Sequence, residues 1–188
     1  MTINQYPLLI PLAPLIAALI TAFPFRNKIL PNYFFSWWLM IVSFLVSLLQ
    51  LVRVIQEPEF NQIVLFSWGW SLLPEVAMSV DRLSSVMMVF ISGFGVLLYR
   101  YSVRYLQQDA GHDRYLTLFA LCISSLLFMV SCADFIMLFI FWQLLSWFLS
   151  LLSHNYSHVP TIKSGFRTFI ILRAGDLTFI AGIAIAYH

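Results

Sequence analysis

The sequence predicts an all-α, polytopic membrane protein of about six transmembrane helices, and three observations predict it. First, 61% of its 188 residues are hydrophobic and only 10% are charged, whereas a water-soluble chain is roughly half apolar and about a quarter charged. Second, the charged residues are bunched, leaving charge-free stretches at 1–25, 34–52, 83–99, 115–133 and 135–162. Third, most of these stretches match the ~20 apolar residues that a helix needs to cross a ~30 Å hydrocarbon core. With 10 Lys and Arg against 8 Asp and Glu the net charge is +2, so charge suggests neither a nucleic-acid partner nor an acidic-ligand surface.

Element by element, the helices are expected at 6–24, 34–52, 83–105, 115–131, 134–152 and 164–187, forming one transmembrane domain over 1–188. The first has no basic residue ahead of it and no small-residue cleavage pattern, so it reads as a retained span and not as a signal peptide. Its Pro7, Pro11 and Pro14 suit a membrane helix, where neighbouring side chains can bond the carbonyls that proline frees. The connection at 53–82 holds Glu57, Glu59, Glu75 and Asp81. Ile63, Leu65, Trp68 and Trp70 around Gly69 suggest a short strand or hairpin over the helices, with the indoles at the membrane surface. Asp81 and Asp134 precede helices three and five as N-cap candidates. The sixth stretch differs from the others by carrying Arg173 and Asp176 inside it.

Basic residues set the orientation. Arg26, Lys28, Arg100, Arg104, Arg114, Lys163 and Arg167 fall on one side, Arg53 and Arg82 on the other. The positive-inside rule places the richer side in the cytoplasm and the N-terminus outside.

Ionisable groups within a span are costly and are functional candidates by default. Arg173 and Asp176 stand three apart, on neighbouring positions of one helix face. They form either a self-neutralising pair that locks the sixth helix or a charge-setting pair beside a proton relay. Gln143, Ser146, Ser150 and Ser153 share a face of the fifth helix, as interhelical hydrogen-bond glue or as the lining of a hydrated path. Gln143 can orient water but cannot store a proton at ordinary pH. His154 and His158 have a spacing that a helix could use for a metal, but Asn155, Ser157 and Pro160 around them favour a solvated loop. Cys122 and Cys132 sit too far apart along one helix to pair and read as small buried hydrophobes. Ala174, Thr178 and Gly182 form a small-residue ridge suited to close helix packing. Nothing in the chain presents a phosphate loop, an iron-sulfur cysteine set or a nucleophile constellation, so no cofactor, metal or catalytic site is expected, and any redox or hydrolytic reaction would lie on another chain.

Four motifs carry a resemblance. Val80-Asp81-Arg82-Leu83-Ser84-Ser85, Tyr101-Ser102-Val103-Arg104-Tyr105 followed by the turn from Asp109 to His112, Phe141-Trp142-Gln143, and Leu172-Arg173-Ala174-Gly175-Asp176 occur in the order and spacing of the antiporter-like subunit L (chain 5) of proton-pumping NADH-quinone oxidoreductase, complex I. The resemblance implies a larger fold of two inverted five-helix repeats after the first helices, of which this chain resembles the N-terminal portion. It further implies half-channels joined by a central line of charged residues. Members of that superfamily usually place a glutamate in the fifth helix and a partner lysine in the seventh. Gln143 stands at the glutamate's position, while Arg173 to Asp176 keeps the family's Arg-x-Gly-Asp element.

The stretch Phe141-Trp142-Gln143-Leu144-Leu145-Ser146-Trp147 looks closer to the membrane subunit of DAB-type inorganic-carbon uptake complexes. There a zinc-dependent, carbonic-anhydrase-like partner is thought to hydrate CO2 at the expense of ion flow. The expected path residues are Gln143, Ser146, Ser150, Arg173 and Asp176. The alternatives are a proton-pumping complex I subunit, with other complex I subunits as partners, and a non-conducting scaffold. In each case the chain is a multi-pass protein of the cell inner membrane, and any translocase activity belongs to the whole complex.

Overall fold

The protein, seen in a computed structural model, is described over residues 3–22, 32–56, 61–66, 76–106, 111–153 and 159–186. A 3-10 turn at Ile3–Leu8 leads into α1 (Leu9–Ala22). There follow α2 (Asn32–Gln56), a hairpin of β1 (Asn61–Phe66) and β2 (Val76–Val80), α3 (Arg82–Tyr105), α4 (His112–Ser131), α5 (Phe135–Ser153) and α6 (Val159–Ala186). Among the described residues six α-helices thus stand where six charge-poor stretches place them. Tyr33–Gln56, Arg82–Tyr105, His112–Ser131 and Phe135–Ser153 are each long and apolar enough to cross a membrane, and Tyr6–Ala22 is a shorter apolar helix. At ~1.5 Å per residue the 28 residues of α6 are also longer than a hydrocarbon core is thick.

Boundaries differ most at α6, which begins at Val159 and not near 164. Pro160 occupies its first turn, where the missing N–H has no intrahelical acceptor to lose and the fixed φ already suits a helix. The expected loop histidine His154 lies outside the described residues, as do His158, Trp68, Gly69 and Trp70.

Helices α1 to α4 form a bundle in which α1 lies against α2 and α4, and α3 closes the other side against α2 and α4; α5 is added on α4, and α6 on α5. Its core contains Ile10, Met40, Met88, Tyr99, Leu116 and Leu127, each with at most 1% of its surface exposed. Outward-facing Leu49, Phe90, Phe94 and Leu97 are exposed, which suits helices whose solvent is lipid.

Polar side chains stitch the bundle where apolar packing alone gives little preference for one partner helix over another. Pro14 has no N–H to offer the carbonyl of Ile10, its partner four residues back. Ser43 of α2 donates to that carbonyl at 2.6 Å, so a proline in one helix is answered by a serine in the next. Ser124 of α4 donates to Pro11 at 2.9 Å, Ser36 of α2 to Ala17 at 3.0 Å, and the hydroxyls of Ser47 and Ser92 join α2 to α3 at 2.9 Å. At Gly95 of α3 a Cβ would stand 3.2 Å from Ile123 Cγ2 of α4, so the missing side chain is what lets these two helices approach.

The expected hairpin is present in antiparallel register, Asn61 opposite Val80 and Ile63 opposite Met78, with an irregularity between Val64 and Phe66. Met78 also bridges to Cys132 just beyond α4, and Met78 and Val80 are buried. The hairpin therefore sits over the end of the bundle where α2 and α4 finish and α3 and α5 begin. Asp81 caps α3 as expected. Its carboxylate accepts the Ser84 N–H at 2.7 Å while its own N–H bonds the Ser84 hydroxyl at 2.9 Å, a reciprocal capping box. The Ser84 hydrogen bonds hold the Asp81 carboxyl below its ordinary value of 3.8. Asp134 serves α5 through its carbonyl, which accepts from the Leu138 N–H at 3.0 Å.

Both cysteines are free. Cys122 is buried. Cys132, past the end of α4, bonds the Phe128 carbonyl, and burial, with a smaller contribution from the Asp134 charge, pushes its thiol up to about 12.

A charged cluster between the fifth and sixth helices

Two helices build the candidate site. On α6, Arg173 and Asp176 are separated by three residues, and Arg173 Nη1 meets Asp176 Oδ2 at 3.0 Å. On α5, Trp142 and Gln143 reach across to the same pair. Gln143 Oε1 accepts from Arg173 Nη1, and the indole Nε1–H of Trp142 donates to Asp176 Oδ1 at 3.0 Å. One guanidinium nitrogen is thus shared between a neutral amide and a carboxylate, and each carboxylate oxygen has its own donor.

Burial is uneven across the pair. Asp176 is 4% exposed, whereas about a third of the Arg173 side chain remains accessible. A buried aspartate is tolerated where a counter-charge and hydrogen-bond donors face it, and Arg173 and Trp142 supply them. The Arg173 guanidinium also lies over the Phe169 ring, 5.0 Å from its centre, a geometry in which the ring's negative face attracts the cation. Its second terminal nitrogen, Nη2, is buried without an acceptor among the described residues.

An open groove of about 690 Å³ runs beside the cluster, walled by Phe139, Trp147, Ile170, Leu177 and Ile180, with Gln143, Arg173 and Asp176 as its polar part. The groove is thus apolar along its walls, with the charged cluster as its one polar patch.

The structure unites three of the expected path residues, Gln143, Arg173 and Asp176, and places the other two apart from their hydrogen bonds. Ser146 and Ser150 are the buried residues of α5, one and two turns further along that helix. Ser153 bonds back to the Ser150 carbonyl at 2.8 Å, a local contact that extends no wire. The ridge of Ala174, Thr178 and Gly182 differs from expectation. All three are exposed, an added Cβ at Gly182 would meet nothing within 4 Å, and Thr178 turns its hydroxyl to the Gly175 carbonyl. Among the described residues no helix is seated on it. The residue that sequence reasoning missed is Trp142. Its signal was available: an indole N–H within an apolar helix needs an acceptor, and the carboxylate inside a neighbouring span is that of Asp176.

The family described as NADH-ubiquinone oxidoreductase (complex I), chain 5 N-terminus matches residues 71–116. A probable inorganic carbon transporter subunit, DabB1, of Halothiobacillus neapolitanus is 30% identical over 96% of this chain and 32% of its own length. By sequence, this chain is similar to the chain 5 subunits of complex I and to related membrane subunits. Subunit L of the F420H2 dehydrogenase of Methanosarcina mazei is 27% identical over 97% of this chain and 27% of its own length. The chloroplastic NAD(P)H-quinone oxidoreductase subunit 5 of Zygnema circumcarinatum is 28% identical over 99% and 28%. The chain therefore spans between about a quarter and a third of the length of these relatives. Its fold matches a chain of the membrane-bound sulfane sulfur reductase, an archaeal respiratory membrane complex, with a TM-score of 0.81 over 97% of this chain and 37% of that one, at 18% identity.

Proposed function

We propose that the chain is an ion-translocating membrane subunit that conducts protons, or another cation, past Asp176 and so energises a partner, with inorganic carbon uptake as the coupled process. The observation that carries this reading is the buried Asp176 held by Arg173, itself bonded to Gln143 across a helix interface. A structural ion pair needs only charge balance. Sharing Arg173 between a carboxylate and an uncharged amide supplies a second resting place for the cation, so the carboxylate can be released without leaving the guanidinium unbonded.

Gln143 supports the carbon-uptake branch, since the glutamate usual at that position in the redox-driven superfamily is absent. The similarity to a probable inorganic carbon transporter subunit points the same way. On this reading a zinc-dependent, carbonic-anhydrase-like subunit is the partner and the chain sits in the cell inner membrane with its N-terminus outside. The similarity to subunit 5 of NAD(P)H-quinone oxidoreductase favours a second reading, a proton-pumping subunit of a complex I-like assembly. The two are separated by which activity fails in the variant.

Asp176→Asn in the complete complex is the decisive experiment. It keeps size and hydrogen bonding while removing the charge, and should lower ion flux by at least about tenfold, the effect of ~1.4 kcal/mol on the barrier. Bicarbonate accumulation falls with it if carbon uptake is coupled, quinone-linked pumping if it is not. Wild-type flux in a normally assembled Asp176→Asn complex would overturn the role of Asp176 in conduction.

A further inference from the structure

We infer that Trp142 is a positioning residue for Asp176, making the two carboxylate oxygens inequivalent so that Arg173 masks and unmasks one of them alone. This inference rests on the conduction reading above and names the group that sets its geometry.

An indole N–H donates, accepts nothing and does not exchange its charge at ordinary pH. Placed 3.0 Å from Asp176 Oδ1, it is a fixed donor beside a group that changes partners. Arg173 Nη1 meets the other oxygen, Oδ2, also at 3.0 Å, and the same nitrogen reaches Gln143 Oε1. The terminal torsion of an aspartate is broad and nearly two-fold, so a carboxylate without the indole could present either oxygen to Arg173. With Oδ1 held, movement of the guanidinium toward Gln143 uncovers Oδ2, and a proton arriving through the groove meets that oxygen.

Trp142 is itself held. Its ring stacks on Phe179 at 5.6 Å between centres, and Phe179 stacks in turn on Phe139 at 5.8 Å. Phe139 and Trp142 are three apart on α5, Asp176 and Phe179 three apart on α6, so two pairs of helical neighbours interlock across the interface. The aromatic sandwich fixes the indole plane and aims its N–H at a carboxylate one turn away on the facing helix. Among the described residues, the charged or titratable groups at this point are Arg173 and Asp176 on α6; α5 contributes only the neutral Trp142 and Gln143.

The test separates the N–H from the ring. Trp142→Phe keeps an aromatic ring against Phe179 and deletes the donor; Trp142→His keeps an N–H on a smaller ring. In the complete complex reconstituted into vesicles, with flux normalised to assembled complex, Trp142→Phe should lose about tenfold and Trp142→His about threefold or less. In an Asp176→Asn background Trp142→Phe should change flux by less than about twofold, because residues acting as one unit are not additive. A second readout needs no flux: in protein carrying 15N-labelled indoles, the Trp142 N–H resonance, identified by its loss in Trp142→Phe, should move when Asp176→Asn is introduced. A larger loss in Trp142→His than in Trp142→Phe would assign the effect to ring volume and overturn the inference, as would full additivity with Asp176→Asn or an unmoved resonance. If Asp176→Asn alone lowers flux while Trp142→Phe does not, only this inference falls. If Asp176→Asn leaves flux unchanged, the conduction reading falls first.

Discussion

Gln143 is the residue at which chemistry and geometry meet most directly. Its amide oxygen accepts from Arg173, a role that needs an acceptor and not a titratable acid. Gln143→Glu keeps an acceptor there and should conduct within a few-fold of wild type. Gln143→Leu removes it, leaves a half-buried guanidinium short of a partner at a cost of ~1.5–3 kcal/mol, and should reduce flux by about tenfold or more. The reverse ranking in a vesicle flux assay would show that acceptance from Arg173 is not what the site requires of this position.

Asp81 offers a simpler test at the same scale. Because its folded-state carboxyl titrates below the ordinary 3.8, ionised Asp81 stabilises the fold at pH above that ordinary value. The contribution is lost as pH falls through the lower folded value. Asp81→Ala should cost about 1 kcal/mol at neutral pH, the usual worth of an N-cap. The difference between variant and wild type in a denaturation midpoint should shrink as pH is lowered through that range. A difference independent of pH would mean that the carboxylate is not the group that matters.

Among the elements, α1 and α2 show how a membrane helix tolerates proline. Pro14 frees the carbonyl of Ile10, and Ser43 bonds it at 2.6 Å. Ser43→Ala should weaken α1–α2 packing by about 1 kcal/mol, the scale of interhelical hydrogen bonds in membranes. The same change should cost less in a Pro14→Ala background, where the substituted alanine supplies its own N–H to that carbonyl. Equal losses in both backgrounds, measured by denaturation in mixed micelles, would break the link between the proline and the serine. That some neighbour must satisfy such carbonyls is a reading available from composition; that Ser43 does so follows from the register of two helices, which joins residues 33 apart in sequence. The same limit explains the small-residue ridge of α6. Its spacing announces a packing face, but a ridge carries no address, and here Ala174, Thr178 and Gly182 are exposed while α6 rests on α5 through Trp142, Gln143 and the aromatic stack.

At the level of the whole molecule, alternation of the helices gathers Arg100, Arg104, Arg114 and Arg167 at one end of the bundle and Arg53, Arg82 and the hairpin at the other. If the arginine-rich end is cytoplasmic, as the positive-inside rule requires, a cysteine replacing Asp109 in a background lacking Cys122 and Cys132 should react with an impermeant thiol reagent only from the cytoplasmic side. A cysteine replacing Glu59 should react only from outside. Opposite labelling would invert the orientation. The sequence by itself determined the class of protein, the number and approximate limits of its helices, the hairpin, the Asp81 cap and the placing of Arg173 and Asp176 on one face of a helix. All of these follow from local causes: runs without charge, the period of a helix, a side chain's reach to its own backbone, and the cost of an ion in lipid. Only the tertiary structure decided that α6 lies on α5, that Gln143 and not Ser146 or Ser150 meets the ion pair, and that Trp142 holds the second carboxylate oxygen. Those contacts join residues 30 to 34 positions apart, and which faces of two apolar helices meet is set by packing and interhelical hydrogen bonds that no stretch of sequence specifies alone.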